Sequence, residues 1–430
     1  MPRNGDGPSR RLVLGALGAG GVVAGAAAVA GAAARETGGP PPGAGGGNPA
    51  GRDSGRVVAD GPGRRERTRQ TGVRSVYIGS FGAGITIGKF DARTGAITVT
   101  GTFDGVADPS YLALAPSGRA LYAVDETAEG TVRALAVGRD GGLSPLGTVR
   151  PTGGEHPTHL AVHPGGHHLL TANYGDGSVA VHPIGADGAL GERTDLVRHT
   201  GSGPDPERQR GPHAHQVVPD PRGRFVLAVD LGTDTVYTYR LDTAHGRLTK
   251  VSETRMAAGS GPRHLAFHPE GRFAYVVGEL DSTITVAEYD PHQGRLVTRG
   301  TQPTLPPGTD PGGRNYPAGV VVSADGRFVY VSNRGHDSVA RFAVTDGGAG
   351  LRLLDTVPSG GAFPRHLSLA PSGELLFTGN QNSGAVGVFR VDRRTGKLTP
   401  LGKPFSTPSP VCVLPVAAPG GHGTERDRTT

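Results

Sequence analysis

The 430-residue sequence contains no tryptophan and a single cysteine, and only 5% of its residues are aromatic. The lone Cys412 excludes an internal disulfide, and its apolar neighbours in residues 410–414 predict a small buried side chain rather than a reactive thiol. In contrast, 73 glycines and 36 prolines argue against long helices and favour many tight turns. The core must therefore come from short strands rich in valine, leucine and alanine, so we predict an all-β fold.

The excess of positive charge lies in the first part of the chain. The formal net charge is +6, and residues 1–72 hold ten arginines and five acidic residues, which is +5 of that total. Residues 73–430 are left with about +1. A groove that neutralises many phosphates needs a clustered positive surface, so we predict that nucleic acid is not a partner of the folded part.

The N-terminal segment has the features of an export signal. Arg10 and Arg11 precede a stretch from Leu12 to Ala34 made mostly of Gly, Ala, Val and Leu. We predict that residues 1–34 are a twin-arginine signal peptide. The protein would then be exported from the cytoplasm by the twin-arginine machinery, meeting the membrane only in transit. A membrane anchor is the alternative, because the stretch is long enough to span a bilayer, but its glycine and alanine content makes it a poor span.

Two further segments are predicted to lie outside the folded domain. Residues 35–72 are rich in Gly, Pro and Arg and show no periodicity. They hold too little apolar surface to offset the entropy of ordering. We predict a disordered linker there and a disordered tail over residues 416–430.

One sequence unit recurs through the rest of the chain. An apolar strand leads into a Pro-x-Gly turn, which is followed by a strand rich in β-branched and aromatic residues and, after a second turn, by an alternating strand. The anchor position of the first turn is occupied by Pro116, Pro164, Pro221, Pro269, Ala324 and Pro371. The anchors are 47 to 57 residues apart, which is the length of a four-stranded propeller blade.

The two ends of this region complete a seventh copy. Residues 408–415 look like a first strand with nothing after it. The segments that look like the second to fourth strands of a blade without a first strand are 75–79, 85–90 and 97–103. Joining the two ends closes the ring and removes exposed sheet edges. We therefore predict a seven-bladed β-propeller over residues 73–415, closed by N- and C-terminal strands in one blade.

Equivalent positions in successive blades should form rings, because the first strand of each blade lines the central channel. The first ring consists of the residues six positions before each anchor, together with Ser409 from the terminal blade. The other members are Ser110, Thr158, His215, Arg263, Ala318 and Arg365. Six of these seven are polar, so we expect them to face a wet channel rather than a packed core. Ten residues after the anchors, at the end of the second strand, the ring is Glu126, Tyr174, Leu231, Glu279, Arg334 and Gln381.

Members of both rings are expected at one mouth of the channel, because the first and second strands are antiparallel. A histidine, a glutamate and arginines supply what acid–base chemistry on an anionic substrate needs. The candidate catalytic residues are His215, Glu279, Arg263 and Arg334. The candidate substrate-binding residues are Arg365, His213, Tyr174 and Glu126. The structural alternative stays open, since polar channel residues also bind water and Arg–Glu pairs also brace neighbouring blades.

The remaining histidines are weaker signals. The position five residues before the anchor is occupied by His159, Gln216, His264 and His366. A recurring position of this kind predicts ring nitrogens bonded to the backbone of a neighbouring strand. His213 and His215 share one face of a strand, but no third ligand accompanies them at metal spacing, so no metal site is predicted. The sequence has neither a G-x-S-x-G elbow nor a phosphate-cradling loop, which leaves serine-hydrolase and nucleotide-binding functions without support.

The segments that carry these residues resemble the lactonase family of seven-bladed propellers, which includes bacterial 6-phosphogluconolactonases and fungal carboxy-cis,cis-muconate cyclases. The matching stretches are 172–175 (ANYG), 212–215 (PHAH), 229–232 (VDLG), 261–269 (GPRHLAFHP), Glu279 and 332–335 (SNRG). The resemblance extends over residues 73–415. One departure is Gly278, where the family commonly has Asn, and this change bears on how Glu279 is oriented or which substrates fit.

The resemblance implies lactone chemistry without a metal or organic cofactor. The cyclases place a His, two Arg and a Glu at their site, which correspond by motif position to the four candidate catalytic residues. Arg263 and Arg334 would bind the carboxylate or phosphate of an anionic lactone or acid and stabilise the oxyanion. His215 or Glu279 would activate water, and Glu279 is favoured as the base because arginines keep it ionised.

Two alternatives to hydrolysis remain. A muconate-type cycloisomerisation would use the same site without admitting water. A non-catalytic extracellular propeller would bind a glycan or protein on one face of the disc. Gly278 favours this alternative, whereas the arginine-rich mouth favours the two enzymatic ones. Export also argues against a sugar-phosphate lactone as substrate, because that compound is an intracellular metabolite.

Overall fold

Short alternating segments and frequent turns produce 30 β-strands and one short 3₁₀ turn in residues 72–417, the part of the chain that the computed structural model describes. The first three strands are β1 (Val73–Ser80), β2 (Gly84–Asp91) and β3 (Ile97–Phe103). The next sheet contains β4 (Leu112–Leu114), β5 (Ala120–Asp125), β6 (Thr131–Val137), β7 (Leu143–Pro145) and β8 (Arg150–Pro151). The third contains β9 (Pro157–Val162), β10 (His168–Asn173), β11 (Ser178–Pro183) and β12 (Asp195–Arg198).

Four more sheets complete the ring. The fourth contains β13 (Ala214–Pro219), β14 (Val226–Asp230), β15 (Thr235–Asp242) and β16 (Arg247–Arg255). The fifth contains β17 (Pro262–Phe267), β18 (Phe273–Gly278), β19 (Thr283–Asp290) and β20 (Arg295–Pro303). The sixth contains β21 (Tyr316–Val322), β22 (Phe328–Arg334), β23 (Ser338–Thr345), the 3₁₀ turn Asp346–Gly348 and β24 (Gly350–Pro358). The seventh contains β25 (Pro364–Leu369), β26 (Leu375–Asn380), β27 (Ala385–Val391), β28 (Leu398–Pro400) and β29 (Phe405–Ser406), and β30 (Pro410–Pro415) ends the chain of strands.

The first blade is closed by both ends of the domain, as the sequence predicts. Its strand order is β3-β2-β1-β30, and β30 pairs antiparallel with β1 so that Val413 lies opposite Ile78. In the second and seventh blades the fourth strand is broken into two short pieces, β7 with β8 and β28 with β29. The prediction of an all-β, seven-bladed propeller is confirmed.

The hydrophobic core lies between the blades. Each of seven clusters of buried apolar side chains combines residues from two adjacent sheets. Cys412 belongs to the cluster between the first two blades, where it is buried and where burial raises the pKa of its thiol to about 12. The prediction of a buried, unreactive cysteine is therefore confirmed.

Tyrosines on second strands join neighbouring blades at four places. Each hydroxyl donates a hydrogen bond of 2.8–3.1 Å to a glycine carbonyl in the next blade, and the pairs are Tyr77–Gly141, Tyr122–Gly188, Tyr275–Gly348 and Tyr330–Gly396. The acceptor turns need glycine, since Gly141 has φ 90° and Gly348 has φ 102°, which L side chains rarely adopt. These bonds satisfy buried hydroxyls and set the blades in register.

Two strand connections at the mouth are the longest in residues 72–417. They are residues 199–213, between β12 and β13, and residues 304–315, between β20 and β21. None of the helices in the described part of the chain could cross a membrane. The predicted signal peptide lies outside the described residues, as do the predicted linker apart from residue 72 and the predicted tail apart from residues 416 and 417.

Candidate active site

The candidate catalytic residues come from three adjacent blades and meet at one mouth of the channel. His215 lies on β13, Arg263 on β17 and Arg334 at the end of β22, and Glu279 directly follows β18. The pairing of β13 with β14 skips a residue at His215, and that of β17 with β18 skips one at Arg263. A bulge of this kind re-aims a side chain out of the regular sheet pattern, which is how first strands present these residues to the channel.

The carboxylate of Glu279 is surrounded by three guanidinium groups. Its Oε2 lies 2.6 Å from Arg334 Nη2 and 3.1 Å from Arg263 Nε, and its Oε1 accepts a 2.7 Å hydrogen bond from Arg208 Nη2. The side chains of Glu279 and Arg263 are only 3% and 2% exposed. The contact between Arg263 and Glu279 is an ion pair whose geometry is not that of a hydrogen bond. The buried Nε of Arg263 therefore has no aligned acceptor within the described residues.

The surroundings decide the charge of Glu279. Burial by itself would raise the pKa of this carboxyl, but Arg334, Arg263 and Arg208 together lower the pKa far below its ordinary value. Glu279 is therefore ionised at neutral pH, as the sequence predicts. The same shift makes the carboxylate a weak proton acceptor, because both oxygens already neutralise arginines.

His215, unlike Glu279, carries no charge. Burial first, and the charge of Arg263 next, lower the pKa of its imidazole well below the ordinary value, so the ring is neutral. The backbone carbonyl of His215 accepts a hydrogen bond from Thr158 Oγ1 at 3.2 Å. Its Nδ1 is buried and has no hydrogen-bond partner within residues 72–417. A neutral imidazole can accept a proton, which is what a general base requires.

Tyr174 and His213 form one wall beside His215. The two rings are stacked with centroids 4.5 Å apart, and His213 Nδ1 lies 2.8 Å from the carbonyl oxygen of Tyr174. The Tyr174 ring meets His215 edge-on at 5.5 Å, and its hydroxyl accepts a 3.1 Å hydrogen bond from Arg208. His213 therefore supports Tyr174 from behind, while Tyr174 faces the mouth.

Arg365 and Glu126 lie across the mouth from this wall. Arg365 Nη2 donates to both carboxylate oxygens of Glu126 at 3.2–3.3 Å, and the guanidinium stacks over the ring of Phe81 at 5.3 Å. Both side chains are 16% exposed. The charge of Arg365 also acts on Arg263, whose pKa is lowered by burial and then by neighbouring arginines. The structure thus brings all eight predicted site residues to one region.

Arg208 is the site residue that the sequence does not single out. It lies in the connection 199–213, outside every blade, where positional counting from the anchors does not reach. One signal was present, since the interval between Pro164 and Pro221 is the longest of the five. An insertion at that point of the repeat must lie at the mouth, and it is rich in arginine.

Two expectations about the channel hold only in part. Ser110, Thr158, His215 and Arg263 are buried rather than open to a wet channel. The recurring histidines were expected to bond the backbone of a neighbouring strand. His366 does so, because its Nδ1 accepts a 3.3 Å hydrogen bond from Val413 N. Neither ring nitrogen of His159 has a partner within residues 72–417.

The reason is that aromatic rings fill the channel below the site. His264 lies 5.2 Å from His215 and 5.4 Å from His159, and His159 packs at 3.8 Å on Tyr111. These centroid distances leave the rings in contact, so they form a floor under Arg263. Within residues 72–417, no three His, Cys, Asp or Glu side chains are grouped closely enough to hold a metal ion.

Gly278 precedes Glu279, and the surroundings leave no room for a side chain at this position. A Cβ at this position would lie 2.3 Å from Asp281 Oδ1 and 3.1 Å from the carbonyl oxygen of Ser260. Asp281 therefore occupies the space into which a larger residue at 278 would project. The orientation of Glu279 is set by its three arginines, without an amide from residue 278.

Comparison with known proteins agrees with this architecture. The family model described as Lactonase, 7-bladed beta-propeller matches residues 75–415. The chain is 34% identical over 347 residues to 6-phosphogluconolactonase of Bacillus subtilis (strain 168), and the match covers 80% of this chain and 98% of that protein.

Solved structures give the same result. A putative 6-phosphogluconolactonase from Bacteroides fragilis NCTC 9343 superposes with a TM-score of 0.75 at 31% identity, covering 82% of this chain and all of the other. The periplasmic gluconolactonase of Pseudomonas aeruginosa superposes with a TM-score of 0.74 at 31% identity, covering 81% of this chain and 100% of the other. The chain therefore belongs to the lactonase family of seven-bladed β-propellers and is a lactonase-like hydrolase.

Proposed function

We propose that this protein hydrolyses an anionic lactone at the mouth formed by His215, Glu279, Arg263 and Arg334, with His215 as the general base. The observation that carries the proposal is the position of a neutral imidazole beside arginines that outnumber the carboxylates around them. A base and fixed cations are what acyl transfer to water requires.

The charge balance of the mouth supports an anionic substrate. The cationic side chains are Arg208, Arg263, Arg334 and Arg365, and the anionic ones are Glu279 and Glu126. Four positive and two negative groups leave an excess of two positive charges. A carboxylate or phosphate entering the mouth would compensate that excess in a poorly solvated environment, where such interactions are strong.

The assignment of the base differs from the one that the sequence favours. Glu279 is ionised, but its three arginines make it too weak a base to deprotonate water effectively. His215 is neutral and faces two of those arginines, Arg263 and Arg334. A bound anion offsets those positive charges, which after burial are the second cause of the low pKa, so binding raises the pKa of His215 and strengthens the imidazole as a base. In this scheme Glu279 holds Arg263 and Arg334 in position.

The reaction then proceeds in two steps. His215 removes a proton from water as the oxygen attacks the lactone carbonyl carbon, and the positive charges of Arg263 and Arg334 stabilise the resulting oxyanion. The tetrahedral intermediate collapses with cleavage of the bond between the carbonyl carbon and the ring oxygen, and the protonated His215 returns its proton to that oxygen. The product is the open hydroxy acid, and the enzyme returns to its starting protonation state.

The protein acts outside the cytoplasm in this proposal, through export directed by residues 1–34. The relative from Pseudomonas aeruginosa is described as a periplasmic gluconolactonase, whereas the Bacillus subtilis relative is named for a phosphorylated lactone. An exported enzyme meets aldonolactones more readily than intracellular sugar phosphates, so aldonolactones and their oxidised, carboxylate-bearing derivatives belong in the first substrate screen.

The test measures ring opening of gluconolactone, 6-phosphogluconolactone and muconolactone by the purified protein and by His215→Ala. We expect His215→Ala to lower kcat by about 10²- to 10⁴-fold, the usual contribution of a general base. His167→Ala, an exposed residue outside the mouth, is the matched control and should be unchanged. Undiminished turnover by His215→Ala refutes the proposed base.

Adding a muconate to the same screen separates the alternatives. Conversion of a muconate to its lactone without net hydrolysis would establish a cycloisomerase. Failure to act on any of the lactones, together with binding of a glycan or protein, would establish a non-catalytic propeller instead.

A further inference from the structure

Arg208 differs from the other arginines of the site in where its side chain lies. Its side chain is 32% exposed, against 2% for Arg263 and 6% for Arg334. It is carried by the connection 199–213 rather than by a strand. Arg208 is therefore the arginine that an entering ligand meets at the rim, while Arg263 and Arg334 lie deeper.

The segment around Arg208 is held in place before any ligand arrives. Asp205 Oδ1 accepts hydrogen bonds from the backbone N–H groups of Glu207 and Arg208 at 2.9 and 3.0 Å. The next residue, Gln209, is buried and donates from Nε2 to Leu231 O and to Asp234 Oδ1, both at 2.8 Å. Arg208 therefore starts from a fixed backbone, which lowers the entropy cost of using its side chain for binding.

The second long connection braces the first. Arg314, in residues 304–315, forms a 3.3 Å salt bridge with Asp205 Oδ2 and stacks over the ring of Tyr316. Arg334 also lies over Tyr316, at 5.9 Å. The two connections thus form one wall of the mouth, with Arg208 on its inner side.

The guanidinium of Arg208 has hydrogen-bond donors that no described residue uses. Its Nη2 donates to both Tyr174 Oη and Glu279 Oε1. A guanidinium carries five N–H groups, and the contacts of Arg208 within residues 72–417 use Nη2 alone. The N–H groups of Nε and Nη1 are left to donate separate, charge-assisted hydrogen bonds to the oxygens of a carboxylate or phosphate.

The position of Arg208 separates it from the reacting centre. The arginines whose charges lower the pKa of His215 are Arg263, Arg365 and Arg334. Tyr174 stands between the two groups, since its hydroxyl bonds Arg208 while its ring contacts His215. A ligand whose carbonyl faces His215 would therefore present a different part of itself to Arg208.

We propose that Arg208 is a specificity-determining residue: its unused Nε and Nη1 donors and its charge bind an anionic oxyacid substituent of the lactone that lies away from the reacting carbonyl. The inference rests on the proposed lactone hydrolysis and goes beyond it, because it separates recognition of the substituent from catalysis. Arg208 discriminates lactones that carry a phosphate or carboxylate from neutral lactones of the same ring, and it takes no part in the bond changes.

The experiment compares Arg208→Gln and Arg208→Lys with the wild-type protein on three lactones. These are 6-phosphoglucono-1,5-lactone, glucono-1,5-lactone and glucaro-1,5-lactone, which carry a phosphate, no charge and a carboxylate. We expect Arg208→Gln to lose about 10- to 100-fold in kcat/KM on a charged lactone, mainly through KM, and less than about 3-fold on the neutral one. A loss on only one charged lactone identifies the preferred substituent, and Arg208→Lys should recover part of it.

The matched control is Arg210→Gln, because Arg210 lies in the same connection, is exposed and bonds only the nearby Pro206 carbonyl within the described residues. It should leave all three rates unchanged. Equal losses by Arg208→Gln on charged and neutral lactones would overturn the proposal, because Arg208 would then act only by positioning Glu279.

Calorimetric binding of the open acids keeps the two proposals distinguishable. Wild-type protein should bind 6-phosphogluconate or glucarate at least about 10-fold more tightly than gluconate, and Arg208→Gln should remove this preference. If the wild-type protein opens none of the lactones, the proposed hydrolysis fails, and this binding measurement still decides the role of Arg208. Equal wild-type affinity for all three acids overturns the specificity proposal.

Discussion

Replacing Glu279 by glutamine tests the electrostatic organisation of the site most directly. The substitution keeps the shape of the side chain and removes the charge that balances Arg334 at 2.6 Å and Arg263 at 3.1 Å. Removing one partner of a buried ion pair costs about 3–5 kcal/mol, because the remaining charges are left buried and uncompensated. Arg208 is one-third exposed, so water compensates for most of its loss.

The expected loss can be expressed as a melting temperature. A domain of roughly 350 residues has an unfolding entropy of about 0.7 kcal/mol/K, so 3–5 kcal/mol lowers Tm by about 4–7 °C. Calorimetry of Glu279→Gln and wild-type protein at pH 7 measures this difference. Added phosphate should raise the Tm of the variant more than that of the wild type, because the anion can take the place of the missing carboxylate.

Glu126→Gln is the matched control, since Glu126 makes a single, more exposed ion pair with Arg365. It should cost about 1 kcal/mol or less. The electrostatic reasoning fails if Glu279→Gln melts within about 1 °C of the wild type, or if Glu126→Gln loses as much.

The stability contributed by Glu279 also has a predictable pH dependence. Its pKa is lowered in the folded protein, so the contribution is complete above the unfolded value of about 4.3 and declines as pH falls towards the folded value. The difference in stability between wild type and Glu279→Gln should therefore be constant near neutral pH and shrink below about pH 4.

The remaining predictions concern the base, the blade contacts and export. In pH–rate profiles the acid limb of kcat should lie at higher pH than that of kcat/KM, because bound anion raises the pKa of His215, and coincident limbs would contradict this. Tyr330→Phe should cost about 1 kcal/mol in denaturant titrations, through loss of its bond to Gly396, and leave KM unchanged. Changing both Arg10 and Arg11 to lysine should retain the protein in the cytoplasm on cell fractionation, and undiminished export would show that the twin-arginine signal is wrongly assigned.

Much of the candidate site could be located by counting along the sequence. The eight predicted site residues occupy corresponding positions near first-strand starts and second-strand ends, so a register counted from the turns brings them to one mouth. This works because each blade is a local unit whose turns fix where its strands begin and end. Arg208 escaped because it lies in a connection that belongs to no blade and has no counterpart in the repeat.

The chemical roles of these residues could not be predicted by counting along the sequence. Glu279 and His215 are both possible bases on the sequence alone, and they differ only in what surrounds them. Three arginines from separate parts of the chain converge on Glu279, whereas His215 keeps an unpaired nitrogen. Such a difference is a property of three-dimensional neighbours, so it becomes visible only when the ring is closed.

What the sequence by itself determined is the architecture: local turn chemistry and strand patterning specify seven copies, and the incomplete copies at the two ends specify how they join. What only the tertiary structure decided is the chemistry of the mouth. Bulges at His215 and Arg263 aim those side chains into the channel, and packed histidines close it below them. The connection carrying Arg208 reaches across to Glu279. The physical reason is that charge, protonation and burial depend on groups far apart in the chain, whereas a blade depends on its own fifty or so residues.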